Sequence, residues 1–76
     1  MSDVNQRISK DLSLFTERLD RLKNTAVTGK EKEVVELAKM YFKDAKSWLG
    51  KGDLYTAFAS ISYAHGLLDA ILKLKE

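Results

Sequence analysis

The sequence predicts an all-α protein, an up-down-up three-helix bundle. Proline is absent from the 76 residues, and the four glycines fall at three places: Gly29, the pair Gly50 and Gly52, and Gly66. Apolar residues recur every three or four positions, which is the period of an amphipathic helix. Short connections favour antiparallel neighbours, so helix one should run parallel to helix three. We expect one domain, 1–76, with helices at about 3–24, 29–50 and 53–75.

Helix one is predicted from a single apolar stripe, with Ser2 as the capping residue at its amino end. Successive residues turn by about 100°, so a spacing of three and four residues keeps the stripe on one face. Its members are Val4, Ile8, Leu12, Phe15, Leu19 and Leu22. This helix should bury one face and leave the other in water.

Helix two should begin after Thr28, because the Thr28 hydroxyl and the Glu31 carboxylate are spaced to form a capping box. It should end at Gly50-Lys51-Gly52, where glycine readily adopts the left-handed cap conformation. Its apolar arc is wider than that of helix one and comprises Val34, Val35, Leu37, Ala38, Tyr41, Phe42, Ala45, Trp48 and Leu49. The opposite side carries Lys32, Lys39, Lys43 and Lys46.

Helix three should open with Asp53 as its N-cap. Its main stripe is Leu54, Phe58, Ile61, His65, Leu68 and Leu72, with Ala57 and Ala64 beside it. Between Leu54 and Leu72 the only formally charged residue is Asp69. A helix with so little charge on any face is usually buried all round, yet a three-helix bundle offers it only two neighbours.

The side of helix three opposite its main stripe is therefore a candidate protein interface. It consists of Tyr55, Ala59, Ser62, Tyr63, Gly66 and Ala70. A solvated face would carry Lys and Glu, and an interior glycine costs about 1 kcal/mol relative to alanine. Close approach of another helix is a common compensation. We expect a protein partner or a homo-oligomer; the alternative is a tolerated, mildly apolar surface.

Composition excludes several classes of site. The absence of Cys and the single His exclude disulfides, thiolate metal sites and all-histidine sites. A net charge of +2 is too small to indicate a nucleic-acid or membrane partner by itself. Polar residues interrupt helix three too often for a membrane span. We expect a cytoplasmic protein with no cofactor.

Four polar residues are candidates for the edge of the bundle: Tyr41, Asp44, His65 and Asp69. His65 and Asp69 are four residues apart, so both side chains lie on one helix face, and Ser62 precedes His65 by three. A Ser-His-Asp triad needs the base between nucleophile and acid beside an open cleft, which adjoining turns of one helix do not supply. A metal site would need Asp44 to join from helix two. We expect a protein without catalytic or metal-binding residues.

An alternative function is accessory nucleic-acid binding by the helix-two lysines. Lys39, Lys43 and Lys46 lie along one side, with Lys32 and Lys51 nearby, and could contact phosphates. Glu36 interrupts the series, and no aromatic residue is interleaved for stacking on bases. Such a series is typical of a solvated helix face.

From Ala38 onward the chain resembles a family of short archaeal proteins, domain of unknown function 357. The resemblance covers helices two and three, and its most distinctive part is the segment YAHGLLDA at 63–70. It rests on Ala38, Tyr41, Asp44, Ala45, Gly52, Asp53, Ala57, Phe58, Tyr63, Ala64, Gly66, Leu68, Asp69 and Ala70. Helix one matches in length and amphipathicity. The resemblance implies an intracellular three-helix bundle of unknown function, and it transfers no catalytic residue or cofactor.

Overall fold

The computed structural model describes residues 3–75 and shows three helices packed into a bundle. They are α1 (Asp3–Lys23), α2 (Gly29–Gly50) and α3 (Leu54–Lys75). The all-α three-helix prediction is confirmed. Helices α1 and α3 each differ by one residue from the expected bounds, and α2 does not. The expected cap at Ser2 lies outside the described residues.

The capping box at the start of α2 is confirmed. The Glu31 amide donates to the Thr28 hydroxyl over 3.1 Å, and the Thr28 amide donates to Glu31 Oε1 over 3.0 Å. Glu31 also forms an ion pair with Lys75, near the end of α3. One side chain therefore caps α2 and joins it to α3.

The connection between α2 and α3 is short because both helix ends are satisfied locally. Gly52 has a φ of +84°, the left-handed conformation that glycine adopts without strain. The Gly52 amide donates to the Leu49 carbonyl and the Asp53 amide to the Trp48 carbonyl, which is the Schellman pattern. Asp53 then accepts from the Thr56 amide over 3.0 Å and caps α3. This hydrogen bond, together with that from the Thr56 hydroxyl, holds the pKa of Asp53 below its usual value.

The core lies mainly along α3, which packs against both other helices. Its contact with α2 is the most extensive, its contact with α1 is smaller, and α1 and α2 touch only slightly. Alanines permit the close approach of α2 and α3. The buried residues are Ile8, Phe15, Leu22, Val35, Ala38, Ala45, Ala57, Ile61, Ala64, Leu68 and Ile71.

The predicted core face of α3 was rotated from the observed one. The fully buried residues follow Ala57, Ile61, Ala64 and Leu68, and Ile71 extends the series although it was not in the predicted stripe. Phe58 is 37% exposed, and Leu54, His65 and Leu72 are half-buried. The reason is that α3 must face α1 and α2 together, so its buried face points between them. His65 and Phe58 lie on the flank towards α1.

Three other residues assigned to apolar faces are partly in solvent. Val4 in the first turn of α1 is 49% exposed, while Leu37 and Trp48 of α2 are 38% and 36% exposed. The assignment of Leu37 and Trp48 to the buried face followed from the wide apolar arc of α2. Because α1 contacts α2 only slightly, the flank of that arc at Leu37 and Trp48 stays partly in solvent. Within residues 3–75, no helix combines the length and apolar character needed to cross a membrane.

Candidate interaction surface

The six candidate interface residues of α3 all lie on the exposed side of the bundle. They are Tyr55, Ala59, Ser62, Tyr63, Gly66 and Ala70, and we call them the α3 outer face. Tyr55 is 85% exposed and Tyr63 is 52% exposed. The face is uncharged and points away from the buried stripe of the same helix. Most of this face is left open by α1 and α2, although the Tyr63 ring is partly covered by Tyr41 of α2.

Gly66 lies in the middle of this face. A methyl group added at Gly66 would meet no atom within 4 Å beyond its own stretch of helix. Space inside the chain therefore gives no reason for glycine, although glycine weakens the helix. Any close approach that the small side chain serves must come from another molecule.

Tyr63 extends the α3 outer face towards α2. Its ring meets the ring of Tyr41 edge-on, with centroids 4.7 Å apart, a favourable aromatic geometry. Trp48 lies seven residues after Tyr41, on the same side of α2, and Lys51 Nζ lies 4.9 Å from the centre of its ring. The half-buried Tyr41 and the partly exposed Trp48 thus lie on the same side of α2, two turns apart. Asp44, another polar candidate, is exposed on α2.

His65 and Asp69 belong to a hydrogen-bonded cluster between α3 and α1. His65 Nε2 lies 2.7 Å from the Asp11 carbonyl oxygen, so this nitrogen carries the proton and donates. His65 Nδ1 then accepts from Arg18 Nη1 over 3.0 Å, and the same Arg18 nitrogen lies 3.1 Å from Asp69 Oδ1. The His65 ring also meets Phe15 edge-on, with centroids 5.8 Å apart. The cluster fixes the orientation of α1 on α3.

Arg18 and Asp11 were not among the candidates from sequence. They lie seven residues apart on the flank of the α1 apolar stripe, and that spacing is the signal that could have marked them. The apolar periodicity of α1 predicts its core stripe but does not indicate which charged residues beside that stripe contact another helix.

The geometry of the cluster does not resemble a catalytic triad. Both ring nitrogens of His65 are engaged, one by Asp11 and the other by Arg18. Neither is directed to the Ser62 hydroxyl as a base would be. Among residues 3–75, no group of three or more His, Asp or Glu side chains is placed to hold a metal ion.

The helix-two lysines are divided among different contacts. Lys39 Nζ lies 3.1 Å from Glu36 Oε2, and Lys46 Nζ lies 5.4 Å from the centre of the Phe42 ring. Lys32 and Lys43 are exposed. The series is therefore a mixed surface rather than a uniform row of charges.

Comparison with known proteins adds a family to this description. The model of a family described as "Protein of unknown function (DUF357)" matches residues 10–75. The match includes all of α2 and α3 and most of α1, which is more than the resemblance from Ala38 onward covered. No curated protein matches the sequence. Because the family model covers most of the chain, this protein belongs to the DUF357 family.

Proposed function

We propose that this chain is a small, non-enzymatic, cytoplasmic interaction module that self-associates or docks a partner protein through the α3 outer face. The observation that supports this most directly is that the face is exposed, uncharged and flanked by tyrosines. Tyrosine is enriched in protein interfaces, where lysine and glutamate are depleted. An ordinary solvated helix face has the opposite composition.

Gly66 gives a second reason for an intermolecular contact. The glycine weakens α3, and nothing in the chain occupies the space beside it. Ala59, Ser62 and Gly66 place small side chains along the α3 outer face beside Tyr55 and Tyr63, so a second helix can approach closely. A chain of 76 residues also has a small core, so burial of this face would add stability.

The test is the association state of the full chain and of matched variants. Ala59→Arg and Gly66→Leu place bulk on the α3 outer face. Ser13→Arg and Ser13→Leu place the same side chains on the exposed side of α1. Sedimentation equilibrium should show the wild type and the Ser13 variants associating, with association at least tenfold weaker in the α3 variants. Circular dichroism should show similar helix content in all of them.

A monomeric wild type at the highest accessible concentration would remove the self-association half of the proposal. The partner half is then tested with a photo-crosslinking residue at position 55 or 13 in the native cell extract. A discrete adduct at position 55 that Ala59→Arg abolishes supports docking. Equal crosslinking at the two positions contradicts it.

The alternative is an accessory nucleic-acid-binding protein that uses the helix-two lysines. Its support is the exposure of Lys32, Lys43 and Lys46 on α2. It predicts binding of labelled single-stranded RNA or DNA that weakens steeply with salt and with the double change Lys39→Glu and Lys43→Glu. Anisotropy that does not change at low salt would exclude it.

A further inference from the structure

A groove opens between α1 and α2, on the side of the bundle away from α3. It exists because α1 and α2 pack mainly against α3 and only slightly against each other. Its floor is apolar and consists of Leu19, Leu22, Val27 and Val35. Leu22 and Val35 are buried, and the other two are half-buried. No residue of α3 lines it, so the groove is a different surface from the α3 outer face.

The size of the groove suits one large apolar side chain. Its volume is about 170 Å³. For comparison, a cavity of about 150 Å³ lined by aliphatic and aromatic side chains binds benzene. An apolar anchor inserted here would cover floor residues that water now reaches.

The rim of the groove is basic. Lys23, Lys32 and Lys39 line it, with Glu36 as the one acidic lining residue, which gives a local net charge of +2. Lys23 contacts Asp20 over 3.5 Å and Lys39 contacts Glu36 over 3.1 Å, each pair within one helix and open to solvent. Such surface ion pairs contribute little to stability, so these lysines are free to pair with carboxylates of an incoming molecule.

A surface with the complementary character lies on another side of α2. Glu33, Leu37, Met40 and Asp44 follow one helical stripe at intervals of four, three and four residues, and we call them the α2 acidic face. Leu37 is 38% exposed and Met40 is 47% exposed. Both carboxylates are exposed, one before and one after the apolar pair. Neither apolar side chain is needed by the core of its own bundle.

We infer that the α1–α2 groove binds the α2 acidic face of a second copy of this chain. Leu37 or Met40 enters the apolar floor, and Glu33 and Asp44 meet the rim lysines. The groove has no aromatic side chain for stacking on nucleic-acid bases, and its aliphatic floor suits an apolar side chain, whereas a phosphate would contact only the rim lysines. An amphipathic acidic helix matches both the floor and the rim, a common mode of helix recognition.

This contact joins two different surfaces, so each chain retains an unused groove and an unused acidic face. Heterologous contacts of this kind form rings or open chains, whereas an α3-to-α3 contact forms closed dimers. The groove contact should also weaken with salt, because it depends on exposed charges. The stoichiometry and the salt dependence of association therefore distinguish the groove contact from an α3-to-α3 contact.

Charge reversal with mixing tests the inference. The groove variant carries Lys23→Glu and Lys32→Glu, and the face variant carries Glu33→Lys and Asp44→Lys. In each variant alone, the groove and the acidic face carry like charges. The salt-sensitive association beyond a closed α3 dimer should therefore be at least tenfold weaker at low salt than in the wild type. Mixing the two restores opposite charges across the contact and should restore association. Analytical ultracentrifugation measures this, and circular dichroism checks folding.

A matched control for the groove variant places the same change of charge elsewhere. Lys10→Glu with Lys73→Glu alters exposed positions outside both surfaces and should leave association unchanged. The inference is overturned if the wild type is monomeric at low salt, or if folded groove and face variants associate like the wild type. It is also overturned if mixing them fails to restore association. Binding of single-stranded RNA that the groove variant alone loses would assign the groove to nucleic acid instead.

Discussion

Gly66 weakens its own helix, and no contact within the chain requires a glycine at this position. It is exposed in the middle of α3, and an added methyl group meets no atom within 4 Å. Alanine would reduce the freedom of the unfolded chain without a clash. We expect Gly66→Ala to raise the free energy of unfolding of the monomer by about 0.5–1 kcal/mol. Urea denaturation at low protein concentration measures this change.

Ala59→Gly is the matched control for that substitution, since Ala59 is exposed on the same helix face. It should lower the free energy of unfolding by a similar amount. If Gly66→Ala instead destabilises the monomer, another part of the same chain occupies the space beside Gly66. The argument for an intermolecular contact is then lost.

His65 and Asp69 show what residue spacing does and does not predict. Their separation by four residues correctly places both on one flank of α3, because helical geometry is local. Their common partner, Arg18, is 47 residues from His65 in sequence. A charged residue on a helix flank looks the same in sequence whether it is solvated or hydrogen-bonded. Only the packing of α1 on α3 distinguishes the two.

At the scale of helices, the ends of α2 were predictable and the faces were less so. Thr28, Glu31 and Gly52 act through hydrogen bonds and dihedral angles within a few residues, so their types and spacing carry the information. The width of the buried face depends on how many neighbours the helix has. The apolar arc of α2 could not reveal that α1 would leave Leu37 and Trp48 exposed.

The Glu31 side chain makes the start of α2 sensitive to pH. Its pKa lies below the ordinary value of 4.5, first because of the hydrogen bond from Lys75 and then that from the Thr28 backbone. Its stabilising effect is therefore present above pH 4.5 and is lost as the pH falls through the lowered pKa of the folded state. We expect Glu31→Gln to destabilise the protein at neutral pH, with a difference from wild type that shrinks in acid.

Glu33→Gln is the control for this effect. Glu33 lies in the same early part of α2 and shares the favourable interaction with the helix dipole, but it is exposed. Thermal unfolding of both variants across the acidic range separates the two contributions. A loss that is equal for the two variants at every pH would contradict a specific role of the Glu31 contacts.

At the scale of the whole molecule, Phe15 is the residue that attaches α1 most directly to the rest. It is fully buried, stacks on Phe42 with ring centroids 4.7 Å apart, and meets His65. Removing such a side chain costs about 3–5 kcal/mol. Since that is a large part of the stability of a small domain, we expect Phe15→Ala to be mostly unfolded at room temperature. Circular dichroism measures the loss.

Val4→Ala tests the observation that Val4, although part of the predicted apolar stripe of α1, is not buried. Val4 belongs to the same apolar stripe of α1, but it is 49% exposed. Its truncation should change the free energy of unfolding by about 0.5 kcal/mol or less. Phe15→Leu keeps much of the buried volume and should remain folded with a lower melting temperature. Similar losses for Val4→Ala and Phe15→Ala would contradict the observed burial.

The sequence by itself determined the number of helices, their approximate bounds, the caps of α2 and α3, and the membership suggested by YAHGLLDA. These follow from local periodicity, local hydrogen bonding and residue type. Tertiary structure alone decided which way α3 rotates, that Arg18 joins His65 to Asp69, and that a groove remains between α1 and α2. Those features depend on three helices sharing one small core, where the packing of each pair limits what the third can cover.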